Sequence, residues 1–304
     1  MTVEQLNSRF GAPGRIVFRD GFAGRPNVVL AGRYGSAEIA LFGANVLSYR
    51  PTGHSPVVFR PAKRDHGPED GFHGGIPVCF PQFGNRLISG LPQHGLTRKA
   101  VFEVRGTEYS EEMTSVTLGF RSDEATRASW PHDFDFEYTV TVSMKLNLRA
   151  VVRNTGSGPF VFSCGFHPYF LVRDAQGVTV KGVGGLAYHD GYAKADGTTP
   201  EGDFAMGADA DHILTLKPAA KHEFAVLDPG LSRAVAVVAG GIRRVVVWNP
   251  GAGHPLADLA PGEWRRFICV EPVSDWPGGE TLEPGGSREF LAAIQATLEN
   301  APLT

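Results

Sequence analysis

Residues 134–148 read Phe-Asp-Phe-Glu-Tyr-Thr-Val-Thr-Val-Ser-Met-Lys-Leu-Asn-Leu. Apolar side chains fall at 134, 136, 138, 140, 142, 144, 146 and 148, and every residue between them is polar. A period of two sends alternate side chains to opposite faces of an extended chain. The stretch therefore predicts a half-buried strand, either one long strand or one that bends through a bulge. Apolar character continues over 150–152 and stops at the turn-like Asn154-Thr155-Gly156.

Working outward, short strand signatures recur on both sides. They cover 28–30, 37–42, 46–49 and 57–59 before this stretch, and 160–162, 224–227, 234–238, 245–248 and 267–270 after it. The 38 glycines and 22 prolines are spread through the chain. This is turn chemistry between many short strands, not a low-complexity tract. Helical signals are weak: residues 3–9 predict one short helix. Residues 289–298 carry helix-forming side chains, but Phe290, Ala292, Ile294, Ala296 and Leu298 alternate as in a strand, and a strand is the reading taken. The glycine-rich loops at 182–185 and 250–253 lack the strand–loop–helix setting of a phosphate cradle. With no linker and no repeat of fixed period, the expected architecture is all-β: one antiparallel sandwich domain over residues 1–304.

A chain of 304 residues buries about three quarters of its unfolded surface, so a core forms without disulfide or metal staples. The net charge of −3 gives no footprint for nucleic acid or an anionic membrane. No run of apolar residues is long enough to span a bilayer, and the opening residues lack the apolar core of a secretory signal. A cytoplasmic protein, monomeric or weakly dimeric, is expected. Cys79, Cys164 and Cys269 are odd in number, far apart and set in apolar runs. Buried free thiols are expected, with a catalytic thiol as the alternative.

Four segments hold polar groups among glycine, proline and apolar neighbours. They are 73–84 (HGGIPVCFPQFG), 93–98 (QHGLTR), 165–170 (GFHPYF), and 246–250 (VVWNP) followed by 268–272 (ICVEP). Rigid loops on a β scaffold are a usual place for binding groups. Glu271 follows an apolar run and precedes Pro272; burial there raises a carboxyl pKa and makes it a general base near neutral pH. A strand-end glutamate in solvent fits the same residues. His167, between Phe166 and Pro168, suits proton transfer in either direction, or is a core histidine satisfied by the backbone. His94 and Arg98 fit either a site or a charged turn, and Asp211 either a site or a loop cap. His54, His66, His73, His94 and His167 show no metal-ligand spacing, so no metal and no cofactor are expected.

Together these segments resemble the hexose-6-phosphate mutarotase branch of the aldose 1-epimerase family. The matching strings are GGIPVCFPQFG (74–84), HGLTR (94–98), NTG followed by HPYF (154–156 and 167–170), VVVWNP (245–250) and CVEP (269–272), in family order. The resemblance implies an antiparallel β supersandwich with a sugar in a cleft on one face. It implies that Glu271 takes the proton of the anomeric hydroxyl while His167 protonates the ring oxygen, the two exchanging roles when the ring recloses. His94 and Asp211 would bind sugar hydroxyls beside Gln93, and Arg98 an anionic substituent.

The chain departs from the branch at three places. His73 stands where the branch has Arg before GGIP, HGLTR replaces an HGFAR-type string, and Asp211-His-Ile-Leu214 lacks an aromatic. Arg60, Lys63, Arg64 and Lys99 are candidate substitute cations. A mutarotase for a neutral aldose and a non-catalytic carbohydrate-binding sandwich are the alternatives.

Overall fold

A computed structural model describes residues 1–21, 24–62, 73–85 and 87–298. Lys63, Arg64 and His66 lie outside the described residues. All pairings between the strands of the two large sheets are antiparallel. A nine-stranded sheet runs from Phe204–Ala205 through Arg233–Gly240, Ser287–Leu298, Leu146–Asn154 and Phe134–Val142 to Glu103–Tyr109. An eight-stranded sheet runs from Ala195–Thr198 through Ala210–Thr215, Arg244–Asn249, Phe267–Val273 and Gly165–Phe166 to Val78–Cys79. Tyr169–Leu171 also pairs with Phe267–Val273. Four early strands from Ile16–Asp20 to Val46–Pro51 form a third sheet.

Residues 134–148 are neither one long strand nor a bulged one. They make Phe134–Val142 and the start of Leu146–Asn154, paired in register as a hairpin. The turn has no Gly, Pro, Asn or Asp to announce it. Ser143 supplies the substitute: its hydroxyl donates to the Lys145 carbonyl at 3.1 Å and Asn147 Nδ2 donates to Ser143 Oγ at 3.1 Å. Met144 continues the alternation in sequence but stands at the tip, 63% exposed. Residues 57–59 contribute only a single bridge, Val58 to Phe170. Residues 289–298 do belong to a strand, Ser287–Leu298, and the short helix forms as Val3–Phe10 with a Thr2–Gln5 capping box.

The eight-stranded sheet has two covered faces, which explains why Phe267–Val273 is buried at every residue. Phe166, Phe170, Ile268, Val270, Val245, Val247 and Leu214 join the main core with residues of the nine-stranded sheet. Phe166 meets Tyr138 across the layers at 6.1 Å between ring centroids. Residues of the other parity (Tyr169, Ile213, Val246, Cys269) face away from that core into two smaller clusters. Arg233, 3% exposed, links the layers: its guanidinium donates to the carbonyls of Pro56 at 2.8 Å and of Leu171. The three cysteines are buried and unpaired, and no described helix is long and apolar enough to cross a membrane.

Candidate active site

The outer face of the eight-stranded sheet forms the floor of a cavity of about 300 Å³. That is the small end of the range for ligand sites, suited to a compact ligand. Strand register arranges the floor in rows. Gly165 pairs with Val273 and Tyr169 with Cys269, so counting two residues inward from either pair sets His167 opposite Glu271. Val246 pairs with Glu271 and Ile213 with Val246, which completes that row. The next row on the same face is Tyr169, Cys269, Trp248 and Asp211. The Gly191 amide closes it with a 2.7 Å bond to the Asp211 carbonyl. All of these but Cys269 line the cavity.

His167 Nε2 stands 3.5 Å from Glu271 Oε2. The pair is 5% and 1% exposed, so the reading of Glu271 as a solvent-exposed strand end is corrected: it lies inside the strand, under the cavity. His167 Nδ1 and Glu271 Oε1 are buried with no hydrogen-bond partner among the described residues. Burial pushes the Glu271 carboxyl well above the usual range, with Asp211 adding and Arg98 opposing. Burial likewise holds the His167 ring well below the usual imidazole range, with the neighbouring His94, Arg98 and His73 adding to this. Both groups therefore favour their uncharged forms. The ring of His167 is stacked on Tyr169 at 4.7 Å, and its amide donates to the Pro77 carbonyl at 2.9 Å, which ties it to the GGIP segment.

The HGLTR segment is fastened by buried Thr97, whose hydroxyl donates to the Val78 carbonyl at 2.7 Å and accepts from the Phe80 amide at 3.0 Å. His94 sits above it in the left-handed backbone region, φ 65°. Its amide donates to the Gly84 carbonyl at 2.7 Å, and its Nδ1 accepts from the Gly84 amide at 3.2 Å. Burial, with Arg98 and His73 adding, holds this ring well below the usual imidazole range. Neutral His94 with an occupied Nδ1 carries its proton on Nε2; the Gln93 side-chain amide lies 3.4 Å from it and, its own nitrogen being a donor, can accept this proton only through its oxygen.

The cavity thus gathers His73, Gln93, His94, His167, Asp211 and Glu271. Arg98 is not part of its lining; it stands near enough to bias His94, His167 and Glu271. Arg60 lies 3.9 Å from Glu38, and Lys99 lines a different depression, so neither supplies a cation to the wall. Lys194 does, the one Lys or Arg among the described lining residues. Sequence reading missed it because it lies in an exposed turn with no motif around it. Tyr192, Trp248 and Trp276 were also missed as walls; Trp248 Nε1 donates to the Tyr192 hydroxyl at 2.9 Å. Asp258, unremarkable in sequence, accepts from the His73 amide at 2.7 Å and lies 2.8 Å from His73 Nδ1.

His167, Cys269 and Glu271 bring three donor atoms within 4.8 Å of one another. Burial pushes the Cys269 thiol far up, with Glu271 adding, so it presents a protonated sulfur, which a cation would have to displace. The arrangement sets an imidazole and a carboxyl side by side on the cavity floor.

The family model described as "Aldose 1-epimerase" matches residues 27–295. A Cenchrus ciliaris protein named "Putative glucose-6-phosphate 1-epimerase" is 30% identical over 288 residues, 90% of this chain and 85% of its own. A Salmonella typhimurium protein of the same name is 29% identical over 78% of this chain and 79% of its own. The crystal structure of a "putative mutarotase (YeaD)" from Salmonella typhimurium superposes with a TM-score of 0.83 at 25% identity, covering 93% of this chain and 94% of that one. A galactose mutarotase-like protein from Clostridium acetobutylicum shares the fold, with a TM-score of 0.75 at 17% identity over 93% and 98% of the two chains. A matched region that runs from the early strands to the last one, and carries the whole cavity floor, places this chain in the aldose 1-epimerase family.

Proposed function

We propose that this protein interconverts the α and β anomers of a hexose 6-phosphate, with His167 and Glu271 as the acid–base pair. One observation carries the reaction: an acid and a base 3.5 Å apart on one row of a buried sheet face. Neighbouring proton-transfer groups suit two oxygens bonded to one carbon, and an anomeric carbon bears such a pair, the ring oxygen and the hydroxyl. Carboxylate Glu271 removes the hydroxyl proton while protonated His167 delivers one to the ring oxygen, and the ring opens. The pair is then left as Glu271 carboxylic acid and neutral His167, the form that burial favours. After rotation about the bond to the aldehyde carbon, Glu271 returns its proton to the carbonyl oxygen and His167 takes the proton of the attacking hydroxyl. One proton thus shuttles within the pair, and no cofactor enters a step. Positioned acid and base groups contribute roughly 10²–10⁴-fold each.

His94 Nε2–H and the Asp211 carboxylate are the donor and acceptor for sugar hydroxyls, with Gln93 beside them. The hexose-phosphate assignment is supported by the names of the relatives and by Lys194 at the wall. The test is anomer exchange by NMR on glucose 6-phosphate and glucose side by side. Selective acceleration of the phosphate is expected. Acceleration of glucose alone would move the substrate to a neutral aldose, and acceleration of neither would overturn the reading.

A further inference from the structure

We propose that the cavity floor is also a binding site for a thiophilic divalent cation such as zinc or cadmium, held by His167, Cys269 and Glu271, and that an ion bound there shuts the reaction off. The site stands apart from the identity of the sugar; only its effect on turnover rests on the anomer-exchange reading above.

Strand register brings the three donors together. Cys269 and Glu271 are two apart on Phe267–Val273, so both side chains leave the same face. His167 comes from the neighbouring segment, midway between Gly165 and Tyr169, which pair with Val273 and Cys269. One imidazole nitrogen, one sulfur and one carboxylate oxygen thus lie within 4.8 Å of one another. Bonds of about 2.0 Å to nitrogen and oxygen and about 2.3 Å to sulfur around a tetrahedral ion set its ligand atoms roughly 3.3–3.8 Å apart. The 3.5 Å between His167 Nε2 and Glu271 Oε2 already falls in that range. The sulfur has about an ångström to close, which a turn about its side-chain bond covers. His167 Nδ1 and Glu271 Oε1 have no hydrogen-bond partner among the described residues, so neither is tied down on that side.

The donor set selects the ion. Nitrogen, sulfur and one carboxylate suit a borderline or soft cation, whereas magnesium and calcium seek six or more oxygens. Three protein ligands leave a fourth position open. His167 and Glu271 line the cavity and Cys269 does not, so the ion sits between cavity and thiol, with its open position facing the cavity. On the sulfur side, Tyr169, Phe267 and Leu259 pack around Cys269 and exclude water. His167 is already neutral, the form that ligates. On binding, the Cys269 thiol and the Glu271 carboxyl release their protons to solvent. Two negative ligands and a doubly charged cation then make a neutral cluster, which burial does not penalise as it penalises either anion alone. The His167 lone pair and the Glu271 carboxylate are both committed to the ion, so neither can move a proton on a sugar.

Metal-free protein is titrated with cadmium, followed by the ultraviolet thiolate-to-cadmium absorption, and with zinc, followed by loss of anomer exchange. Expected are a band that saturates at one ion per chain and zinc inhibition that a chelator reverses, with magnesium and calcium without effect. Cys269→Ala should exchange anomers at the wild-type rate, show no band, and tolerate at least roughly 10–100-fold more zinc, the loss that removal of even an outer partner of a metal ligand brings. Cys269→Ser, close to the thiol in size, serves if the alanine variant does not fold. Cys79 and Cys164 remain in both variants, so a band that survives there comes from another thiol and overturns the site. A wild type without the band, or zinc inhibition unchanged in the variants, overturns it as well. A protein that shows the band and exchanges no anomers would overturn the mutarotase reading and leave the site standing.

Discussion

The backbone of Gly191 lies against the carboxylate of Asp211: a β-carbon at position 191 would sit 1.8 Å from Asp211 Oδ2. The flexible side chain must yield, because the strand pairing around it holds the backbone. Gly191→Ala should therefore swing the carboxylate out of line with its sugar hydroxyl and leave the fold intact. The expected result is a KM raised roughly ten- to hundredfold, the worth of one charged hydrogen bond, with a small change in kcat. Steady-state anomer exchange beside a thermal melt checks both halves, and an unchanged KM refutes the role given to Asp211.

Glu271→Gln should abolish exchange, by at least about 10²-fold, and yet not weaken the fold. Burial raises the carboxyl in the folded state, so the wild-type fold holds a proton that the unfolded chain releases. Stability therefore falls as pH rises from the ordinary glutamate range toward the raised value. Glutamine, with nothing to ionise, escapes this loss. Denaturant midpoints for the two proteins should draw apart in favour of the variant as pH is raised from 5 to 8. A variant less stable than wild type at pH 8 would contradict the burial account.

The pair, as proposed, works with one proton, so kcat for anomer exchange should be bell-shaped in pH. The acid limb marks uptake of a second proton by His167, displaced below the ordinary imidazole range, and the alkaline limb marks loss of the last proton from Glu271, displaced above the ordinary carboxyl range. Both limbs belong to the pair and not to either residue alone. In His167→Asn, with at least roughly 10²-fold lower kcat, the acid limb should vanish. A profile rising without a maximum would refute a one-proton pair.

Arg233 holds carbonyls from two separate segments near its own strand, and Asp228 partly offsets the cost of burying its charge. Arg233→Ala leaves those carbonyls without partners and should cost roughly 2–4 kcal/mol. Arg233→Lys should recover less than half, because an ammonium lacks the planar fork. Chemical denaturation of the three proteins decides, and a lysine variant as stable as wild type would sink the geometric claim.

Most of the fold was legible because alternation survives wherever one face of a strand is solvated, as at Phe134–Val142. It fades where both faces are covered: nothing in the sequence of Phe267–Val273 says that Glu271 lies mid-strand. The hairpin at residues 143–145 escaped because serine and lysine do the work that glycine or asparagine advertises. The residues proposed as acid, base and hydroxyl binders stand in motifs that the sequence displays, and the fold brings them to one cavity. Lys194 and Asp258 do not, since their part in the cavity comes from tertiary approach: Asp258 is 185 positions from His73.

His167 and Glu271 face each other across a rung of the sheet between the pairs Gly165–Val273 and Tyr169–Cys269. Their spacing is therefore a property of the closed ladder, and neither side chain can be brought to the other by a moving loop. A chain that has collapsed, but has not yet joined these segments roughly a hundred positions apart, has both residues and no catalyst; distant pairing of this kind is slow to form. The return of anomer exchange during refolding is thus a clock for one event, the zipping of this sheet, and it should lag behind burial of the aromatic core.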